Sequence, residues 1–320
     1  MAQPSNKEVH ADRPLTNLSV AYAQEMQNLV SAVAFPQVPV DHKSDEYYVY
    51  DRDYWMRSQA AERAPGTESA GSGWKMSTAT YTCKVYAVHS DIDDQIAANA
   101  DPGIDLERDA TRWATDQITM TRELEWATKF FTTSTWTGST TASDITPGTT
   151  WDDAASTPIE DIDAQATSVL EKTGRRPNLL VLGPEVYLKL KSHPDILDRI
   201  KFTERGIVTL DLLASLFDVK RVMVPQITRN TAAEGATAVY DFGFGKSALL
   251  AYSAPNPGLL TPSAGYTFVW RRYPGASRDG ILIDRFYERK TKSTRIEGEI
   301  NFDHKVIGAD LATFFSACVA

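Results

Sequence analysis

One apolar seam dominates the chain. Leu106, Ala110, Trp113, Gln117, Met120, Leu124, Ala127 and Phe131 follow alternating steps of four and three, with only Gln117 polar. Glu107, Arg108, Asp109, Arg112, Asp116, Arg122, Glu123 and Lys129 occupy the other faces. That period predicts a single amphipathic helix from Asp101 to about Thr132. Asp101 fits as its cap and Pro102 as its first residue, where a missing N–H costs nothing. The β-branched and small run Thr132-Thr133-Ser134-Thr135 ends it. About 30 residues at roughly 1.5 Å each make a rod of about 45 Å, roughly two and a half times the usual helix.

Upstream, residues 1 to about 40 read as an arm. Leu15, Leu18, Val20, Tyr22, Met26, Leu29 and Val30 form a short amphipathic patch, and Phe35-Pro36-Gln37-Val38-Pro39-Val40 is held extended by its two prolines. Tyr47 to Trp55 is rich in aromatic and β-branched residues and predicts a strand. Thr80 to Val88 is its expected partner, with Tyr81, Cys83, Val85 and Ala87 alternating against Thr80, Thr82, Lys84 and Tyr86. Between them lies a polar Gly/Ser-rich tip, Glu62 to Gly73. A hairpin this long needs a partner surface, since it has little to bury against itself. His89 to Asn99 reads as a short helix.

Beyond the rod, the Gly/Ser/Thr stretch Gly138 to Thr150 marks a subdomain boundary. Thr157-Pro158-Ile159-Glu160 is a capping box with proline in the first turn, and its helix ends at Gly174. A strand Leu179 to Leu182, a helix Glu185 to Lys191, a further turn Ile196 to Phe202, a Thr209-capped helix Leu210 to Phe217 and a strand Val219 to Val224 follow. This alternation predicts an α/β subdomain. Tyr240 to Tyr252, Gly265 to Arg272 and Ile281 to Tyr287 read as strands. From Thr294 to Asp303 the period is two: Thr294, Ile296, Gly298, Ile300 and Phe302 face one way, and Arg295, Glu297, Glu299, Asn301 and Asp303 the other. The last two strands make a second long hairpin with a basic end, Arg285, Arg289, Lys290, Lys292 and Arg295. Phe314 to Val319 is a final strand, and no internal repeat is visible.

The 320 residues suffice for two or three subdomains. A net charge of -9 argues against a general nucleic-acid-binding surface, though not against a protein that encloses nucleic acid. No stretch approaches the ~18 apolar residues of a membrane span, and Met1 to Arg13 lacks the apolar core of a signal peptide, so synthesis in the cytoplasm is expected. Cys83 and Cys318 read as two buried free thiols.

Candidate chemistry is thin. Asp241-Phe242-Gly243-Phe244-Gly245-Lys246-Ser247 ends like a phosphate-binding loop, but Tyr240 stands where that loop needs its first glycine. Its Asp-Phe-Gly triplet resembles a kinase metal-binding motif, yet no His-Arg-Asp loop accompanies it. A tight turn between strands is the simpler reading. His10, His42, His89, His193 and His304 are scattered, without zinc spacing. His89-Ser90-Asp91 reads as a helix cap, and Asp91-Ile92-Asp93-Asp94 as acids favoured at a helix start. No catalytic, cofactor-binding or metal residue is predicted, and the basic end is read as pairing with an acidic partner surface.

In their order, these parts resemble the major capsid proteins of tailed bacteriophages, the Hong Kong 97-type fold. The resemblance rests on Leu15 to Val40, on Tyr47 to Val88 with its Arg63-Ala64-Pro65-Gly66 tip, and on Asp105-Leu106-Glu107 through Arg122-Glu123-Leu124-Glu125. It continues through Leu182-Gly183-Pro184-Glu185-Val186-Tyr187, His193-Pro194-Asp195-Ile196-Leu197-Asp198-Arg199-Ile200-Lys201, Ala248-Leu249-Leu250-Ala251-Tyr252 and Ser263 to Phe268. It implies an α+β chain with four parts: an N-terminal arm (1–40), an extended β-hairpin loop (41–88), a peripheral domain (89–155 and 268–305) and an axial domain (156–267 and 306–320). The peripheral domain would hold a spine helix, 102–132, and the long hairpin; the axial domain would be α/β.

The same resemblance implies a non-enzymatic virion protein. Hexamers and pentamers would form an icosahedral shell around double-stranded DNA, without sequence-specific binding and without a membrane. Scaffolding, portal and decoration proteins are possible partners. Glu62, Arg63, Glu68, Arg285, Arg289, Lys290, Lys292 and Arg295 are the candidate inter-subunit contacts. Some relatives crosslink lysine to asparagine; Lys75 lies near the tip, but no asparagine partner or acidic catalyst matches, so no crosslink is expected. Two rival readings remain: an α/β nucleotide-binding enzyme using Asp241 to Ser247, and a small-oligomer binding module with the basic end as its ligand site.

Overall fold

A computed structural model describes residues 29–50, 52–100, 104–200, 208–258, 260–277 and 279–320. The predicted patch from Leu15 to Met26, the Asp101 cap with Pro102, and Lys201 and Phe202 lie outside the described residues.

Val30–Ala34 (α1) leads into Gln37–Val40 (β1). Ser44–Tyr50 (β2) pairs antiparallel with Met76–Thr82 (β3), Tyr47 opposite Ala79. Here the expected hairpin is corrected. Its first strand stops at Tyr50, and Trp55 closes a single helical turn, Arg52–Trp55 (α2). Its second strand starts earlier than expected and ends at Thr82. Cys83 then donates its N–H to Lys43 O at 2.8 Å, and Lys84–Asp93 (β4) joins a different sheet. The predicted alternation therefore breaks. Tyr81 and Cys83 are buried, but beyond them Tyr86 and Val88, not Val85 and Ala87, meet the apolar cluster.

The helix expected at His89 is also corrected. His89, Ser90 and Asp91 are strand residues of β4, because Asp91 is held across the sheet by Arg295. The helix is only Asp94–Asn99 (α3), capped by Asp93 accepting from Gln95 N at 2.7 Å.

The rod is Leu106–Phe130 (α4), 25 residues, capped by Asp105 accepting from Arg108 N at 3.1 Å. Its buried stripe differs from the predicted seam. Ala110, Ala114, Ile118, Arg122, Trp126 and Phe130 are buried at every fourth position, whereas Trp113 is 43% exposed. At 3.6 residues per turn each such step drifts about 40°, so the stripe turns through roughly 200° along the rod. The cause is a change of partner along its length. Ala110 packs with Ile92 and Ile296, and Ile118 with Ile300 and Phe302. Trp126, Ala127 and Phe130 enter a separate core with Phe35 and Trp136. The drift also carries Arg122 and Glu123 inside, two residues expected on the solvent faces.

Pro158–Thr173 (α5) ends at Gly174 with φ +67°, as the sequence implies. Its capping box does not form: Thr157 makes no side-chain cap, and Glu160 pairs instead with Arg199 at 2.5 Å. Leu179–Leu182 (β5), Pro184–Lys191 (α6), Pro194–Ile200 (α7), Leu210–Leu216 (α8) and Arg221–Met223 (β6) follow close to expectation. Thr209 caps α8 through Leu212 N at 3.3 Å. Thr228–Asn230 (β7) pairs with Tyr240–Phe242 (β8). The strand expected from Tyr240 to Tyr252 is thus split, and its second part is Ala248–Ala251 (β9). Gly265–Trp270 (β10), Ile281–Glu288 (β11), Ser293–Val306 (β12) and Ala312–Phe315 (β13) complete the elements.

Two sheets organise the molecule. One is four-stranded, β13-β9-β5-β6, and every residue of β5, β9 and β13 is buried. Helices α5 to α8 pack on it through Ile162, Val186, Ile196 and Leu213. The other is built on β12, which pairs with β11, β10 and β4, while β1 runs parallel to β10.

Candidate inter-subunit surfaces

Two hairpins carry the predicted contact residues. Among the described residues of the β2–β3 hairpin, only the root is buried. Tyr81 stacks on Phe268 at 4.6 Å between centroids, with Cys83 and Tyr47 beside them, and Thr82 N donates to Asp303 Oδ2 at 2.8 Å. Further out, Tyr48, Trp55, Met56, Trp74 and Met76 are all large, apolar and exposed, Trp74 by 68%. Trp55 lies 6.4 Å from Trp74 and 6.1 Å from Tyr50, ring to ring. At the tip Ala64 O accepts from Thr67 N at 3.2 Å across Pro65 and Gly66, the latter at φ +79°, which is the proline-then-glycine arrangement of a tight turn. Arg63 closes it by donating to Thr67 O at 2.5 Å. Glu62 and Glu68 are exposed on either side. Arg52 in α2 pairs with Asp310 in the short 3-10 turn ahead of β13.

In the β11–β12 hairpin the five basic residues fall into two groups. Arg285 pairs with Glu107 at 2.5 Å. Arg295 grips Asp91 with two bonds, 2.6 and 2.8 Å, which hold the Asp91 carboxyl below its usual range. Arg295 also lies 6.0 Å from the Phe286 ring. Arg289, Lys290 and Lys292 form the turn itself and are exposed; among the described residues no ion pair engages them.

A third feature escaped the pattern. Glu123 is fully buried and accepts from Val30 N at 2.6 Å and Ser31 N at 3.0 Å, satisfying two of the free N–H groups at the start of α1. Burial pushes its carboxyl up against the opposing pull of these bonds. The neighbouring Arg122 guanidinium is lowered by its own burial. A clasp between α1 and α4 is the result, and β1 and the β2–β3 hairpin follow directly from it in the chain. Only the charges at an otherwise drifting stripe could have signalled it.

The remaining candidate chemistry is structural. Phe244 is packed in the core, Gly183 N donates to Ser247 O, and a Cβ on Gly183 would stand 1.8 Å from Gly245 O. Lys246 bonds Ala320 O at 2.7 Å and sits 3.7 Å from Glu185. The motif is a packed turn between β8 and β9. His193 is buried between Ser156 Oγ and Asp153 O, each at 2.9 Å. His304 is buried, 2.8 Å from Thr267 Oγ1, and burial brings its pKa down to about 3. Cys83 and Cys318 are free and buried; burial pushes the Cys83 thiol up to about 12. Among the described residues no cluster of His, Cys, Asp or Glu could hold a metal, and no helix is long and apolar enough to cross a membrane.

Comparisons with known proteins converge. Residues 138–237 match the family described as phage major capsid protein E. The major capsid protein of Burkholderia phage BcepMu is 34% identical over 119 residues, a match covering 36% of this chain and 38% of that relative. The major capsid protein of Pseudomonas phage JBD67 is 23% identical over 99% of both chains. Among solved structures, a phage-related protein from Bordetella bronchiseptica RB50 superposes with a TM-score of 0.69 at 19% identity, covering 96% of this chain and 97% of the other. The capsid of cyanophage P-SCSP1u gives 0.58 at 14% identity, covering 93% and 90%.

Proposed function

We propose that this chain is a major capsid protein of a tailed bacteriophage with the Hong Kong 97-type fold, and that it assembles into hexamers and pentamers of an icosahedral head shell that encloses double-stranded DNA. The observation that carries this reading is the match along nearly the full chain to proteins of one structural role, joined to large apolar side chains left exposed on a projecting hairpin. Isolated exposed apolar residues are ordinary, but a cluster of this size marks a surface that is covered in use.

In this reading, α1 and β1 end the N-terminal arm and β2–β3 is the extended loop. Helix α4 is the spine of a peripheral domain with β4, β11 and β12. The four-stranded sheet with α5 to α8 is the axial domain that surrounds the hexamer and pentamer axes. Arm and loop overlap neighbouring copies through Glu62, Arg63 and Glu68 as well as the exposed tryptophans. Arg289, Lys290 and Lys292 meet acidic neighbours, while Arg285 and Arg295 serve first to brace their own hairpin. Many modest contacts shared between overlapping parts allow assembly to correct itself yet give a strong shell. A net charge of -9 suits a wall that must not trap its DNA. The shell takes no cofactor and catalyses nothing, and scaffolding, portal and decoration proteins are candidate partners for it.

The test is to express the chain by itself and follow it by light scattering and negative-stain electron microscopy. Closed particles, tubes or capsomer rings are the expected result. A monodisperse monomer at every concentration, pH and salt would overturn the reading, most of all if it bound ATP and lost that binding in Lys246→Ala.

A further inference from the structure

The sheet region formed by β4, β12 and β11 has two unlike faces. Side chains at directly paired positions share a face of an antiparallel sheet. On one face Ile283, Gly298 and Val88 stand in line, followed by Ile281, Ile300 and Tyr86. Helix α4 covers this face: a Cβ on Gly298 would lie 3.1 Å from Ala114 Cβ, and Ile118 packs with Ile300. On the other face Asp284 stands directly opposite Glu297, and Leu282 opposite Glu299. The turn after β10 reaches over the inner part of that face, where the Tyr273 hydroxyl donates to Glu299. Its outer part lies open, with Asp284 and Phe286 exposed and Glu297 half-buried.

That outer part is short of positive charge, with His89 the strand neighbour of Glu297 on the side away from Asp284. Two carboxylates directly opposite one another repel. Asp284 receives only the adjacent Arg285 N–H, at 2.8 Å, and among the described residues no lysine or arginine pairs with Asp284 or Glu297. The arginine on this face, Arg295, is committed to Asp91. At the end of the same hairpin the situation is inverted, with Arg289, Lys290 and Lys292 exposed beside Glu288. The two sets cannot meet within one chain. Asp284 lies four residues from Glu288, about 13 Å of strand, farther than a lysine side chain spans.

We propose that the Arg289–Lys292 tip of one copy docks on the open Asp284–Glu297 sheet face of a second copy. The inference rests on the capsid reading and names the surface that receives the tip. Donor and acceptor are different patches, so the contact runs head to tail, and contacts of that type propagate into rings. Phe286, 38% exposed beside the acidic pair, offers the aliphatic stems of the incoming lysines an apolar floor.

A charge swap tests it in the full chain. The face-reversed variant carries Asp284→Lys with Glu297→Lys, the tip-reversed variant carries Arg289→Glu, Lys290→Glu and Lys292→Glu, and the third combines all five changes. Either reversal is expected to lower the yield of particles or capsomer rings by about tenfold or more, and the combination to restore it to within about threefold. Melting temperatures should stay near that of the unmodified chain, since all five side chains lie outside the core. If the face-reversed variant assembles normally, or the combination fails to recover, the docking site is overturned and the capsid reading stands. If the unmodified chain forms neither particles nor rings, both fall together. A second measurement does not depend on yield. Lys290→Cys with Glu297→Cys should give disulfide-linked dimers and ladders on mild oxidation of the assembled protein, and absence of that crosslink would overturn the contact.

Discussion

The two long hairpins solve the same problem in opposite ways. The β11–β12 hairpin is gripped along its length by its own chain: β4 pairs beside it, α4 covers one face, and Arg285 and Arg295 tie it to Glu107 and Asp91. The β2–β3 hairpin is gripped at its root, by Tyr81 on Phe268 and by the Glu123 clasp just upstream, and farther out by the half-exposed Arg52–Asp310 pair. Its outer tryptophans pack mainly on each other. One hairpin is therefore part of the subunit's own stability, whereas the outer aromatic residues of the other, Trp55 and Trp74, contribute little to it. Mutations should separate them cleanly.

The largest effect should come from the held hairpin. Ile300 is fully buried between β12 and α4, so Ile300→Ala is expected to cost about 4 kcal/mol in urea or guanidinium unfolding. A loss below about 1 kcal/mol would mean that α4 and the sheet do not share a core. Next comes the root of the free hairpin. Glu123→Ala leaves the Val30 and Ser31 N–H groups without their acceptor and Arg122 without its neighbouring charge, an expected cost of about 3 kcal/mol. Limited proteolysis should then cut near Leu29 to Val40 well before global unfolding. Unchanged protection there would show that α1 is held by its apolar contacts alone.

A smaller, pH-dependent effect probes the base of the held hairpin, where His304 of β12 stands opposite Thr267 of β10. Its folded pKa, about 3, lies below the ordinary 6.5. The unfolded chain therefore binds a proton that the folded chain refuses. The stability tied to this group is fully present above about pH 6.5 and is lost as pH falls toward 3. Between pH 6.5 and 5 the loss amounts to about 2 kcal/mol from this group. His304→Gln should flatten that part of the stability profile relative to the parent, whatever it does to stability at neutral pH. Parallel profiles in the two proteins would remove His304 from the acid response.

What could be read in advance follows the same division. The β11–β12 hairpin was legible because β12 has one dry face and one wet face, so Ile296, Gly298, Ile300 and Phe302 alternate against charged residues. Strand β5, the glycine end of α5 and the Thr209 cap were legible because each depends on neighbours in sequence. Helix α4 was legible as a helix but not in its phase, since its partners change from a sheet to a packed core and the stripe must turn with them. Arg122 and Glu123 look like solvent residues, and only the arrival of α1 explains them. The break at Cys83 was hidden because one strand run serves two sheets, and Asp91 resembled a cap because its partner Arg295 lies 204 residues away. For the contact we propose, sequence could nominate the basic tip but not the face we assign to receive it, since opposition of Asp284 and Glu297 exists only once the register is known.

The smallest effect on the subunit should be the most informative one. Trp55 and Trp74 are large aromatic residues, and in a core each would cost about 3 to 5 kcal/mol on truncation to alanine. Here they are 56% and 68% exposed, with ring centroids 6.4 Å apart. The Trp55→Ala, Trp74→Ala double variant should therefore shift subunit stability by no more than about 0.5 kcal/mol, as ordinary surface changes do. Assembly should respond very differently. Buried aromatic anchors dominate protein interfaces, so losing two from a contact repeated in every copy should abolish particles while leaving a well-folded subunit. A double variant that is as stable as the parent and assembles as well would show that the exposed tryptophans are not an interface. One that unfolds would show that the free hairpin is held by its own chain after all, and the contrast between the two hairpins would disappear.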